Sequence, residues 1–330
     1  MTPPRRSPPP VFPLGRPAKG GWFRRMPPAV FPGVLGLLWL GLAWRGAAAA
    51  FAWPSGLVDG YLGAVTLLWV FAVVAYAGKA LRRPAVVAED LRILPGRDGL
   101  AALALSVPTV ALVLAPIRPG LATGLMVAGL AVHFALIALA AMVLVAGPPD
   151  ARGVTPVWQP MFAGLAMGAL PALDLGWTGL AAGLAGLSAV MAFAIWLASA
   201  RQLQQRIPPA PLRPLLALHL FPAAVLGLVA QGLGLALWAQ ALAMIAAALL
   251  LALAASGRWL LQSGYTPFLG ALTFPLAACA TLFLALDGPW NAAGLLLVLA
   301  TTMGGLPIIY RLMQDWMKGR LAAQTNAAEA

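Results

Sequence analysis

Charge is what this 330-residue chain has least of: 9% of its residues are Asp, Glu, Lys or Arg, whereas 62% are hydrophobic and the mean hydropathy is +0.89. A soluble globule of this size needs a polar shell that such a composition does not supply, so the chain reads as an all-α, polytopic membrane protein. Cysteine is nearly absent as well. The single Cys279 lies inside an apolar run, which excludes an internal disulfide and a Cys-based metal site and leaves a small packing residue. Two histidines, His133 and His219, sit in apolar segments without further ligands around them. They read as structural residues, with proton sensing as the sharper alternative.

Motifs of chemistry are missing too. The sequence has no Walker A loop, no GxSxG elbow, no HExxH and no CxxCH, so ATP-driven transport, hydrolysis and haem chemistry lack their parts. No nucleophile, base and orienting group occur together, so no catalytic residue, cofactor or metal ligand is expected and the enzyme class is disfavoured. Asp59, Glu89, Asp90, Asp98, Asp150, Asp174, Asp287, Asp315 and Glu329 all fall at span ends, in loops or in the tail. Ion-coupled carriers usually keep a buried carboxylate for the coupling ion, and its absence favours a passive pore.

What the chain has instead is apolar length interrupted by proline. Residues 1–25 are rich in Pro and Arg and read as a disordered basic cytoplasmic tail. From there ten spans are expected, at 28–46, 57–80, 98–116, 121–146, 156–174, 177–200, 212–234, 236–256, 266–286 and 291–312, followed by a C-terminal tail over 317–330. The short links Asp174–Trp177, Gly234–Ala236 and Asp287–Asn291 demand tight turns between antiparallel neighbours. Proline recurs at Phe31-Pro32, Val107-Pro108, Gln159-Pro160, Phe221-Pro222 and Phe274-Pro275, each in an odd-numbered span, as though one two-helix unit were repeated five times. Each step is expected to kink its helix and to face protein or water.

The net charge of +12 would point a soluble protein toward nucleic acid, but no nucleic-acid pattern is present and the basic residues lie between apolar segments. With ten spans, the N-terminus, the even-numbered loops and the C-terminus carry all of the Lys and Arg except Arg45 and Arg118. The positive-inside rule then places both termini in the cytoplasm. Small residues and kinks across the odd spans describe a pore wall without strong ligands. A basic mouth and the lack of an acidic ring favour an anion.

Four segments, in order, resemble the TehA-type tellurite-resistance and dicarboxylate transporter family, which includes the plant guard-cell slow anion channels. They are Met26 to Arg45 (MPPAVFPGVLGLLWLGLAWR), Val157 to Gly164 (VWQPMFAG), Arg213-Pro214 through Phe221-Pro222-Ala223-Ala224-Val225, and Leu272-Thr273-Phe274-Pro275-Leu276. The resemblance covers residues 26–316 and implies ten transmembrane helices arranged as five hairpins around a central pore. It also implies a homotrimer in the cell (inner) membrane, small inorganic or organic anions as the permeant species, and Phe274 as the pore gate. Phe31, Pro32, Pro108, Pro160, Phe162, Phe221, Pro222 and Pro275 are the expected lining and kinks. Pro32 stands where many relatives have a small residue, and Leu272 replaces an aromatic. The alternative is a secondary carrier for dicarboxylate, sulfite or tellurite, proton-linked through His219.

Overall fold

Apolar runs of about 20 residues satisfy their own backbone hydrogen bonds only as helices, and this chain is built accordingly. The computed structural model describes residues 23–330, and among the described residues there is no strand. The expected N-terminal tail, 1–25, falls almost wholly outside them. In chain order the helices are α1 (Phe31–Ala50), α2 (Gly56–Arg82), α3 (Ala85–Arg92), α4 (Leu94–Leu114), α5 (Pro119–Ala146), α6 (Trp158–Phe162) and α7 (Ala166–Asp174). They continue with α8 (Thr178–Gln205), α9 (Leu220–Gly232), α10 (Ala236–Ala255), α11 (Gly257–Leu260), α12 (Thr273–Leu284), α13 (Pro289–Met317) and α14 (Arg320–Gln324). Short 3-10 segments lead into three of them: Pro28–Val30 into α1, Ala210–His219 into α9 and Pro267–Leu272 into α12.

Counting those lead-in turns, nine helical segments among the described residues are long and apolar enough to cross a membrane. The expectation of ten continuous spans therefore needs correcting at the fifth, 156–174, which is divided into α6 and α7 by Ala163, Gly164 and Leu165. Pro160 and Pro171 each remove a backbone donor there. Polar groups around the break find partners on neighbouring helices. His133 Nε2 on α5 donates to Met161 O at 2.9 Å, Ala166 N donates to Ser188 Oγ on α8 at 2.7 Å, and Gln159 Nε2 donates to Ala192 O at 3.3 Å. An apolar environment tolerates a broken helix only on such terms. Gly164 is required because a Cβ would overlap the Pro160 carbonyl.

The other proline steps also settle differently from mid-span kinks. Pro32 is the second residue of α1, Pro222 the third of α9 and Pro275 the third of α12, each just after a 3-10 lead-in. The bond that each proline removes thus falls where the 3-10 lead-in passes into the α-helix, at the change of helix type rather than mid-span. Pro108 alone of the five lies deep inside a helix, α4. The three tight turns are present, and each bends through a glycine at positive φ: Gly176 at 79°, Gly234 at 74° and Gly288 at 77°.

Burial alternates along the chain. The apolar windows of Pro28–Ala50, Leu94–Leu114, Ala210–Gly232 and Pro267–Leu284 are 72–78% buried, whereas those containing α2, α5, α8, α10 and α13 are 17–28% buried. The buried helices pack in a closed circuit: α1 on α4, α4 on α7, α7 on α9, α9 on α12 and α12 back on α1. Each also packs on the exposed helix that follows it, giving the pairs α1 with α2, α4 with α5, α7 with α8, α9 with α10 and α12 with α13. Close approach is bought by glycine at the α1–α12–α13 junction, where a Cβ at Gly36 or at Gly305 would overlap the Thr273 side chain.

The far end of the chain is fastened rather than free. Ala330 N donates to Arg24 O at 3.1 Å, Ala328 N to Asp90 Oδ1 at 2.9 Å, and an Arg83 Nη to Glu329 O at 2.6 Å. Arg24 and Ala330 therefore lie on one face of the molecule, which also carries α3.

Candidate functional site

The candidate gate grows out of two equivalent junctions. Leu220-Phe221-Pro222 and Thr273-Phe274-Pro275 each begin an α-helix directly after a 3-10 turn, on helices adjacent in the buried circuit. In the second, Thr273 Oγ1 donates to Gly270 O at 2.8 Å and so satisfies a carbonyl at the change of helix type. The two phenyl rings meet edge to face, with centroids 5.5 Å apart and planes at 62°, an arrangement favoured by the ring quadrupoles. Phe274 is 1% exposed and Phe221 0%.

The remaining expected lining residues do not all converge on that pair. Pro32, Pro108, Pro160, Pro222 and Pro275 are buried. Phe31 is buried too, but its ring meets Tyr76 of α2 at 6.1 Å and 85°, a contact with an outer helix. Phe162 is half-buried and pairs with Trp158 at 5.0 Å, against Ala192 and Ile195 of α8. Trp39 on α1 is 0% exposed, and its indole N–H has no partner.

Polar groups that sequence reasoning passed over gather at the basic face. Arg97, in the first turn of α4, is 7% exposed, and its Nε and one Nη have no partner. It forms no ion pair among the described residues. His219 approaches Gln159, with 3.5 Å between Nδ1 and Nε2, while His219 Nε2 and Gln159 Oε1 are unpartnered. Behind α3, Lys79 Nζ and Asp90 Oδ2 form a fully buried ion pair at 2.8 Å. Tyr76 Oη also donates to Asp90 Oδ2, at 2.9 Å, and Lys79 Nζ donates to Met26 O at 3.0 Å. A basic residue soon after a Pro-Gly helix start was the one visible signal for Arg97. Counting it as a loop charge concealed its burial.

Between the spans the electrostatics are ordinary. Two hydrogen bonds from Arg83, each 2.7 Å, hold the Glu89 carboxyl below its usual range. Burial, aided by nearby Asp315, pushes Tyr265 up to about 12, and Arg311 lies 4.0 Å over its ring. Among the described residues no group of three or more His, Cys, Asp or Glu is placed to hold a metal ion. No family model matches this chain, and no curated protein matches it.

Proposed function

We propose that the protein conducts small anions passively through a path enclosed by α1, α4, α6–α7, α9 and α12, with Phe274 as its gate. The observation that carries this reading is the alternation of burial. Five buried segments close a circuit and five lipid-exposed helices surround it, so the inner segments are shielded from hydrocarbon and free to line a polar path. The contact between Ala330 and Arg24 supports ten crossings. Two points on one face need an even number of crossings between them, and α6–α7 supplies the tenth. Basic residues concentrated on that face make it the cytoplasmic one, in a cell membrane.

The four segments that resemble the TehA-type family point the same way, as does the lack of a carboxylate mid-span. A homotrimer with one path per subunit follows from that resemblance. The carrier alternative draws on His219, buried beside Gln159 with one ring nitrogen unpartnered. Reconstitution in planar bilayers with chloride, nitrate and malate separates the two. A channel gives current that rises linearly with anion concentration over a wide range, whereas saturation and counterflow would establish a carrier.

A further inference from the structure

At the basic face a cavity of about 510 Å³ that carries two arginines among apolar walls abuts an apolar groove of about 400 Å³, and Ser199, Leu203, Leu216 and His219 belong to the walls of both. The cavity is lined by Arg97, Thr155, Ser199, Arg206 and His219 and by no carboxylate. Four of those side chains carry buried polar atoms with no partner: Arg97 Nε and one Nη, Thr155 Oγ1, Ser199 Oγ and His219 Nε2. Leaving such groups unpaired is costly, and every one of them can donate a hydrogen bond. Arg97, more than nine-tenths buried, adds a fixed positive charge.

The groove is of the opposite character. It runs between α8 and α10, which both pack on α9, and its walls include Trp196, Ala200, Ile245, Leu249 and Ala252. Ala200, Ile245 and Ala252 are exposed on the lipid-facing helices, so the groove opens sideways into hydrocarbon. Trp259 closes its end at the basic face, where Arg213 stacks 4.4 Å over the indole. Both volumes fall in the range of about 300–1,000 Å³ that suits organic ligands, far above the roughly 30 Å³ share of one water.

From this juxtaposition we propose that α4, α8, α10 and the 3-10 segment Ala210–His219 hold one anionic lipid taken from the leaflet at the basic face, its acidic headgroup on Arg97 and Ser199 and one acyl chain in the groove. Charge complementarity selects the head, since a cavity lined by two guanidinium groups and no carboxylate favours a lipid of net negative charge over a zwitterion. The chain is selected by the groove's apolar walls and lateral opening. The proposal goes beyond conduction and does not rest on it, because the site lies at the α8–α10 gap and binds whether or not the circuit passes ions.

The test uses the purified full chain and native mass spectrometry, with phosphatidylglycerol and phosphatidylcholine of identical acyl chains. One phosphatidylglycerol should bind at least about tenfold more tightly than phosphatidylcholine, the size of one charge-assisted hydrogen bond. Arg97→Gln should abolish that preference. Ala252→Trp, at an exposed position in the groove, should weaken both lipids and keep the preference. Ser199→Ala serves as the headgroup variant if Arg97→Gln does not fold, and should reduce the preference severalfold. Glycerol phosphate alone should bind far more weakly than the lipid. Equal affinity for both lipids, an unchanged preference in the headgroup variant, or glycerol phosphate binding as tightly as the lipid would each overturn the proposal. So would loss of oligomer in Ala252→Trp with lipid affinity unaltered, which would make the groove a contact between copies.

Discussion

Asp90 is where the structure makes its most demanding claim on stability. Both of its carboxyl oxygens are used: Oδ2 accepts from Lys79 Nζ at 2.8 Å and Tyr76 Oη at 2.9 Å, and Oδ1 accepts from Ala328 N at 2.9 Å. The side chains of Asp90 and Lys79 are 0% exposed. Asp90→Ala strands the ammonium in a protein interior, and breaking one side of a buried pair costs about 3–5 kcal/mol. At roughly 2–4 °C per kcal/mol for a large domain, the melting temperature in detergent should fall by about 6–20 °C. Replacing both partners, as Lys79→Met with Asp90→Leu, should recover part of that loss, because it removes the stranded charge while Tyr76 Oη and Ala328 N still lack their acceptor. The single variant should also free the chain's end, so that carboxypeptidase removes residues after Thr325 faster than from the parent protein. A melting temperature within about 2 °C of the parent for Asp90→Ala, or a double variant as unstable as the single one, would refute the reasoning.

Other expectations follow from the same geometry. Gly36→Ala and Gly305→Ala each drive a methyl into Thr273, so each should cost about 1–3 kcal/mol, and Thr273→Ser should relieve the Gly305 variant, whose overlap is with the threonine methyl. Ser188→Ala leaves Ala166 N without an acceptor in the helix break and should cost about 1–3 kcal/mol, read as a melting shift. Glu89, held low by half-buried Arg83, contributes stability above its ordinary value of 4.5 and loses it as pH falls through the lower folded value. Glu89→Gln should therefore remove that contribution at pH 6–8, lowering the melting temperature there by no more than about 2 °C because the pair is solvent-accessible, and should make no difference below the folded value. Reporter tags within 83–93 should report cytoplasm and tags near Trp53 or Asp287 the opposite side. A single side for all of them would contradict the proposed ten crossings.

Much of the architecture was legible in the chain, for reasons that are local. A run such as Pro119–Ala146 has no alternative in lipid to being a helix, and Gly176, Gly234 and Gly288 mark the turns because only glycine takes their backbone angles cheaply. Other features depend on groups remote in sequence. The break between α6 and α7 is stable because His133 and Ser188 reach it from two other helices. Lys79 counts as a solvated loop charge by position, yet it is buried because α3 folds Asp90 over it. The prolines were visible, but their place in a first turn followed from 3-10 lead-ins that apolar patterning does not reveal. Phe31 and Phe274 look alike in sequence and differ in partner, Tyr76 of α2 for one and Phe221 of α9 for the other.

Conduction gated by Phe274 is the central claim, and the basal conductance of Phe274→Ala in planar bilayers tests it most directly. If the ring closes a path that water reaches, truncation opens that path. Water then fills the space, and the loss is close to the edge-to-face term of about 0.5–1.5 kcal/mol with Phe221. The account predicts a large rise in anion current over the parent protein, with a melting temperature lowered by only a few degrees. If Phe274 merely packs two helices, the substitution leaves a dry cavity costing about 3–5 kcal/mol. A strongly destabilised variant with no gain in current would contradict the gate.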